Sequence, residues 1–318
     1  MNVLDLSGFA TFGEACGRVD NPQAYHDSKK GIPHCVSKSM LTDFARNPYK
    51  WKYRQDEGIE KVSQGFRFGS LVDCLALTPD QFQSQYLVEE WLPGVNKNGS
   101  VSKTKQDDGQ AARWAAFADR GGAVLTPEEY AEAQKAVGIF NNYLRTEHGL
   151  VLGDSFDSQV AMYKMLLIEY APDKPPVPIT ITGMIDILPH DEEMPIIDMK
   201  TTSTPVEDPG LIDRDMARYG YGWQAALYCD LYEAIFGIRR IFTFVFMESA
   251  APYCISEVRM DQEALEHYRG QYMAALRQYA ECVATGIYPG AVALPRYFRI
   301  PRWELKKGWE GGSHETDA

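Results

Sequence analysis

The stretch that most constrains this chain runs from Ile179 to Thr202, ITITGMIDILPHDEEMPIIDMKTT. Two isoleucine-rich runs, Ile179 to Leu188 and Pro195 to Thr201, flank the polar, turn-forming insert Pro189-His190-Asp191-Glu192-Glu193, a pattern that predicts a β-hairpin. Side chains alternate faces along a strand, so Asp198 and Lys200 project to one side and Ile197 and Met199 to the other. Asp186, on the partner strand, can join the first pair. An Asp-x-Lys on a strand is usually solvated surface. Here Ile185, Ile187, Ile196 and Ile197 mark the hairpin as largely buried, and buried Asp and Lys are rare unless paired or bound to a metal.

Two acids and a lysine converging at strand ends suit metal-dependent phosphodiester cleavage. Carboxylates hold Mg²⁺, the metal activates water, and the lysine orients that water or stabilises developing charge. The rest of the chain must then supply a core and a place for nucleic acid. With 318 residues, 45% apolar and 24% charged, it can bury a sizeable core. No apolar run reaches the length of a membrane span, and MNVLDLSGFATFGEACGRVD lacks a basic region followed by an apolar one, so no membrane partner and a cytoplasmic location are expected. Six cysteines lie scattered without any Cys-x-x-Cys, which argues against a zinc site and a disulfide framework.

The net charge of −12 opposes phosphate binding unless positive charge is local. Lys97, Lys103 and Lys105 in one loop, and Arg296, Arg299, Arg302, Lys306 and Lys307 near the C-terminus, supply such clusters. An acidic exterior around a basic groove reconciles the two, with the three loop lysines as candidate DNA contacts.

Taken in order, residues 1–33 read as an irregular arm, 34–290 as one domain and 291–318 as a C-terminal extension. Ser37-Lys38-Ser39 precedes a helix with Met40, Leu41, Phe44 and Ala45 as its stripe, and the free N–H groups of such a start can bind phosphate, which makes Ser37 and Ser39 candidate DNA contacts. A helix ending near Thr78-Pro79 sets Gly69 and Asp73 one turn apart, where Asp73 can add a metal ligand. Pro93 to Gln110 reads as a long polar loop, and Thr126-Pro127-Glu128-Glu129 as a capping box opening a helix. Ser158 to Tyr170 reads as a strand. Tyr219 to Phe236 reads as a helix closed by Gly237, with Gln224 and Tyr228 on one face. Two strands, Arg239 to Glu248 and Pro252 to Met260, and a helix from Gln262 to Thr285 follow. Strands, a crossover helix and returning strands make an α/β domain with a mixed central sheet flanked by helices.

In combination, Gly183-Met-Ile-Asp186, Ile197-Asp198-Met199-Lys200-Thr201-Thr202, Trp223-Gln224-Ala225-Ala226-Leu227-Tyr228 and the upstream Gly69-x-x-x-Asp73 resemble the nuclease domain of the exonuclease VIII (RecE) family. That family belongs to the PD-(D/E)xK superfamily with its restriction-endonuclease-like core, alongside lambda exonuclease and the RecB nuclease domain. The likeness spans roughly residues 35 to 290.

It implies an exonuclease that digests double-stranded DNA ends 5′ to 3′, leaving 3′ single-stranded tails for a single-strand annealing protein in recombination. It also implies a homo-oligomeric ring, trimer or tetramer. Carried over, Asp186 and Asp198 are metal-binding acids, Lys200 the catalytic lysine, and Gln224 with Tyr228 the family's QxxxY helix. With Asp73 and the Met199 carbonyl assisting, two Mg²⁺ ions are expected, Mn²⁺ being able to substitute. Asp73 stands where relatives carry histidine, and Gln159 where they carry glutamate. A CRISPR-associated RecB-like nuclease is one alternative, but its iron–sulfur cysteine cluster is missing near the C-terminus. A DNA-binding protein with a degenerate nuclease fold is the other, and intact Asp186, Asp198 and Lys200 disfavour it.

Overall fold

Long isoleucine- and phenylalanine-rich strands collect into one mixed sheet, and helices cover both of its faces. The computed structural model describes residues 32–59, 67–96, 100–290, 299–300 and 302–305, and the backbone of 15–18. The first half holds β1 (Ala15–Arg18), β2 (Cys35–Ser37), α1 (Lys38–Arg46), α2 (Pro48–Asp56), α3 (Arg67–Leu77), α4 (Phe82–Gln85), β3 (Tyr86–Val88), β4 (Pro93–Val95), β5 (Val101–Gln106), α5 (Asp108–Ala118), β6 (Ala123–Leu125) and α6 (Pro127–His148). The second half holds β7 (Phe156–Ile168), β8 (Val177–Pro189), β9 (Ile196–Thr202), α7 (Pro209–Tyr219), α8 (Tyr221–Phe236), β10 (Phe242–Glu248), β11 (Ile255–Arg259), α9 (Gln262–Thr285) and α10 (Arg302–Leu305).

The central sheet runs β1-β7-β8-β9-β10-β11, with β2 paired to β8. β9 and β10 are parallel, joined across α7 and α8, while β7–β8, β8–β9 and β10–β11 are antiparallel. One face packs on α1, α2, α8 and α9 through residues such as Leu41, Phe44, Ile181, Leu227 and Leu276. Phe44, Trp51 and Tyr279 meet there edge to face, their ring centres 5.2 to 5.7 Å apart, an arrangement worth about 0.5–1.5 kcal/mol per pair beyond burial. The other face packs on α3 and α6 through Leu71, Val72, Phe140, Ile197 and Val245.

Caps lie where the residue types dictate. Thr126 and Glu129 close the capping box of α6, Asp261 caps α9, and left-handed Gly286 ends it. Ser37 caps α1 by accepting the Met40 N–H at 3.4 Å. Elsewhere the fold departs from expectation. Asn47 caps a second helix, α2, with Pro48 in its first turn, where a proline lacks no hydrogen bond. The stretch expected as one helix from Tyr219 is broken by Gly220 at φ 64, which ends α7 and starts α8. Ala15–Arg18, inside the expected irregular arm, forms an edge strand antiparallel to β7.

The expected polar loop, 93–110, instead holds the antiparallel pair β4–β5 and the start of α5. Buried Gln110 pins its base by accepting the Leu92 N–H and donating to the Glu90 carbonyl, a long-range pair invisible to local polarity. Among the described residues no helix is long and apolar enough to cross a membrane. Most of the aromatic C-terminal stretch, and Lys97, lie outside the described residues.

Candidate active site

The site forms where the expected hairpin splits. β8 and β9 pair at Ile187↔Ile197, and further along β8 its Thr180–Thr182 stretch pairs with β2. Where β8 and β9 part, a β9 main-chain donor needs a new acceptor, and Asp186 supplies it. Its Oδ2 accepts the Met199 N–H at 3.1 Å, as the pairing rule for buried backbone demands. Its Oδ1 accepts from Gln159 Nε2 at 3.3 Å.

Strand alternation inverts at the same level. On β7, Phe156 faces the α3 and α6 core and the Ser158 hydroxyl donates to the Leu77 carbonyl of α3, whereas Val160 and Met162 face the α8 core. On β8, Ile185 joins the α8 core and Ile187 the α3 core. The hinge residue on β7 is Gln159, held in the left-handed region at φ 51, a conformation that costs a non-glycine residue energy and is found where surroundings over-determine it. The inversion turns the Asp186 carboxylate toward β9 instead of into either core.

Asp198 is 1% exposed. Its Oδ1 is ion-paired with Lys200 Nζ, and its Oδ2 accepts from Gln224 Nε2 of α8. That Oδ1 has the Lys200 ammonium as its partner, and since a carboxylate oxygen carries two lone pairs it can take a further cation. Tyr228, one turn beyond Gln224, lies flat on Gly183 of β8, where a Cβ would stand 2.7 Å from its ring. Any larger residue at 183 would push α8 off the sheet. Lys200 Nζ lies 5.2 Å from the Tyr221 ring centre. Lys38 of α1 reaches the same ring at 5.4 Å and donates to the Tyr219 carbonyl at 2.8 Å. With Ser39, Asp73 and the Met199 and Gln224 side of the site, these groups line a cleft of about 370 Å³.

The electrostatics are out of balance. Asp73 is pushed up to about 7, chiefly by burial, with Lys200 pulling down and Asp198 pushing up. Burial and the neighbouring Asp198 hold Asp186 well above the carboxylate range. For Lys200 burial works against the charge, but Asp198 and Asp186 outweigh it and raise its pKa. Lys38 is lowered to about 8 by burial and by Lys200. Around this cleft Asp73, Asp186 and Asp198 outnumber Lys38 and Lys200, and burial raises the first two acids.

Among the described residues no three His, Cys, Asp or Glu side chains converge into a ready metal cage. The donors nevertheless fit a hard divalent cation. They are oxygens, one of them carries spare acceptor capacity, and added positive charge would return Asp73 and Asp186 to their ionised forms.

Of the expected site residues, the structure brings Asp73, Asp186, Asp198, Met199, Lys200, Gln224, Tyr228 and Ser39 to one place. Ser37 is spent on its own helix cap. Lys103 and Lys105 stand exposed on β5 and line no part of the cleft; Lys105 pairs with Asp108 at 3.0 Å. Lys38 and Tyr221 escaped the sequence reading, since neither carries a local signal and only the packing of α1 on α8 brings them together.

Residues 36–297 match the PD-(D/E)XK nuclease superfamily. The chain belongs to that superfamily. The pattern in the superfamily's name is met by Asp186 followed by Asp198-Met199-Lys200, with Ile185 in place of the proline. Among solved structures, the chain is similar to a protein from Eubacterium rectale provisionally named an exonuclease, at 13% identity and a TM-score of 0.53, over 91% of this chain and 98% of that one. At that identity the likeness speaks for the fold. A second structure, SSO0001, matches at 11% identity over 74% of this chain and 92% of its own, and its TM-score of 0.27 adds no argument. No curated protein matches the chain.

Proposed function

We propose that this PD-(D/E)XK protein is a metal-dependent deoxyribonuclease that digests double-stranded DNA from an end, 5′ to 3′, and leaves 3′ single-stranded tails for an annealing protein. The observation that carries the hydrolytic reading is the convergence of Asp186, Asp198 and Lys200 beside one cleft, with Asp73 on its wall. Asp73, Asp186, Asp198 and the Met199 carbonyl would hold two Mg²⁺ or Mn²⁺ ions, which when bound supply an activated water and polarise the phosphate.

The chain's own groups do the rest. Lys200, kept protonated by its acid neighbours, offers positive charge to phosphate oxygens as negative charge builds on them. Gln224 and Gln159 each hold one carboxylate in place by donating to it. Lys38 adds a second ammonium at the cleft wall, and the Tyr228 ring keeps α8 seated on the sheet.

End-labelled duplex DNA incubated with Mg²⁺, and then with EDTA, tests this. Label release with Mg²⁺ alone is expected, and release from the 5′ end first supports the polarity. No release under any divalent ion overturns the reading. Polarity, the annealing partner and a trimeric or tetrameric ring rest on the resemblance to the exonuclease VIII family. Light scattering bears on the ring: a monomer mass together with distributive digestion would sink it.

A further inference from the structure

Three elements meet at one aromatic ring beside the acid cleft: α1 through its first residue, Lys38, β9 through Lys200, and α8 through its own first residue, Tyr221. Lys200 Nζ lies 5.2 Å and Lys38 Nζ 5.4 Å from the centre of the Tyr221 ring. An ammonium over a ring face is attracted by the ring's quadrupole, the more so where water is excluded. Burial holds the Tyr221 phenol above its ordinary range, so the ring meets both cations as a neutral phenol and the attraction belongs to its face.

The ring is wedged in place. It packs against Phe244 and Phe246 of β10, ring centres 5.6 and 5.9 Å apart, and against Tyr219 at 5.6 Å. Next to it Gly222 lies under Tyr268 of α9, where a Cβ would stand 2.1 Å from the Tyr268 ring, so the first turn of α8 is pinned. The two cations are differently engaged. Lys200 is paired with Asp198. Lys38 has no carboxylate partner among the described residues; its ammonium donates to the Tyr219 carbonyl at 2.8 Å, which leaves N–H groups to spare. Burial, and then the charge of Lys200, lowers Lys38 to about 8. Like charges repel, and the face of Tyr221 is the contact the two share.

We propose that Tyr221 is a positioning residue: its ring face seats the Lys38 and Lys200 ammoniums in the cleft, so that one phosphate meets both charges as negative charge builds on it. The proposal rests on the nuclease reading of that cleft. Lys200, held by Asp198, reaches the phosphate from the β9 side, and Lys38, with N–H groups to spare, from the α1 side. A ring that only filled space would be replaceable by an apolar side chain of similar bulk. A seat for cations requires an aromatic face and does without the hydroxyl.

Tyr221→Phe keeps the face and Tyr221→Leu removes it. On end-labelled duplex with Mg²⁺, Tyr221→Leu should lower kcat about five- to thirtyfold with KM within about threefold of wild type, while Tyr221→Phe stays within about twofold on both. The seat itself is read by NMR without metal or DNA, in protein carrying lysine isotopically labelled at Cε. The Lys38 Hε signal, assigned with Lys38→Arg, should lie upfield of the exposed lysines through the ring current, keep that position in Tyr221→Phe and lose it in Tyr221→Leu. Should Tyr221→Leu fail to fold by near-UV circular dichroism, Tyr221→Met takes its place. An unshifted Lys38 signal in wild type, or one that stays upfield without the ring, would overturn the seat. Equal kcat losses in the two variants, or none without the ring, would overturn the positioning role. Each of these leaves the nuclease reading standing. If wild type cleaves no duplex with any divalent ion the nuclease reading falls, and the Lys38 signal alone decides the seat.

Discussion

Buried Arg240, just before β10, and half-buried Lys200 on β9 are two cations beside one sheet, settled in opposite ways. Arg240, 4% exposed, donates to the carbonyls of Pro189, Asp191 and Met194 at 2.6 to 3.1 Å. Its acceptors there are main-chain carbonyls of the β8–β9 turn, and its charge is spread over hydrogen bonds that lock the turn shut. At the other end of the same two strands Lys200 pairs with Asp198 while Asp73 and Asp186 stand beside them, more acid than one ammonium can neutralise. A buried polar network that is fully satisfied rigidifies, and one left short of charge is ready to take a ligand. The first end holds the strands together; the second, where they part, gathers the acids and the lysine.

The sharpest way to break this contrast is Lys200→Ala, which should lower turnover on end-labelled duplex by about 10²–10³-fold or more, with DNA affinity nearly intact. A comparable loss of affinity would make Lys200 a binding group. Arg240→Ala should do the reverse. It strands three turn carbonyls and should cost about 2–4 kcal/mol in urea unfolding, while the protein that remains folded keeps its rate within a few-fold. A silent Arg240→Ala would show the turn to be held by other means.

Asp73 sharpens the comparison through pH. Its pKa is raised from 3.8 to about 7, so the folded state keeps a proton that the unfolded chain has released. Such a group contributes stability that is complete below about 3.8 and is lost as pH rises toward 7. Metal-free protein should therefore melt lower at pH 8 than at pH 6. Asp73→Asn should raise the pH 8 melting temperature by about 2 °C or more, and Mg²⁺ should stabilise wild type more at pH 8 than at pH 6. Parallel melting curves for variant and wild type across that range would remove Asp73 from the acid excess.

The smallest effect belongs to exposed charge. Replacing Lys103 and Lys105 together, with Lys97, should weaken DNA binding without regard to sequence and flatten its salt slope by about 0.9 for each phosphate no longer neutralised. An unchanged slope returns β5 to plain surface.

What the sequence determined by itself is what depends on neighbours a few residues apart: the period-two pattern that placed β8 and β9, the order of Asp186, Asp198 and Lys200, the capping box at Thr126 and the cap at Asp261. Gln224 and Tyr228 share a helix face for the same local reason. The tertiary structure alone decided where β8 and β9 part, why Gln159 turns to φ 51, that Lys38 from α1 stands beside Lys200, and that Arg240 closes the turn. It also turned a polar stretch into β4 and β5. Each of these depends on groups far apart in the chain competing for the same buried space and hydrogen bonds, and a one-dimensional pattern carries no record of which competitor wins.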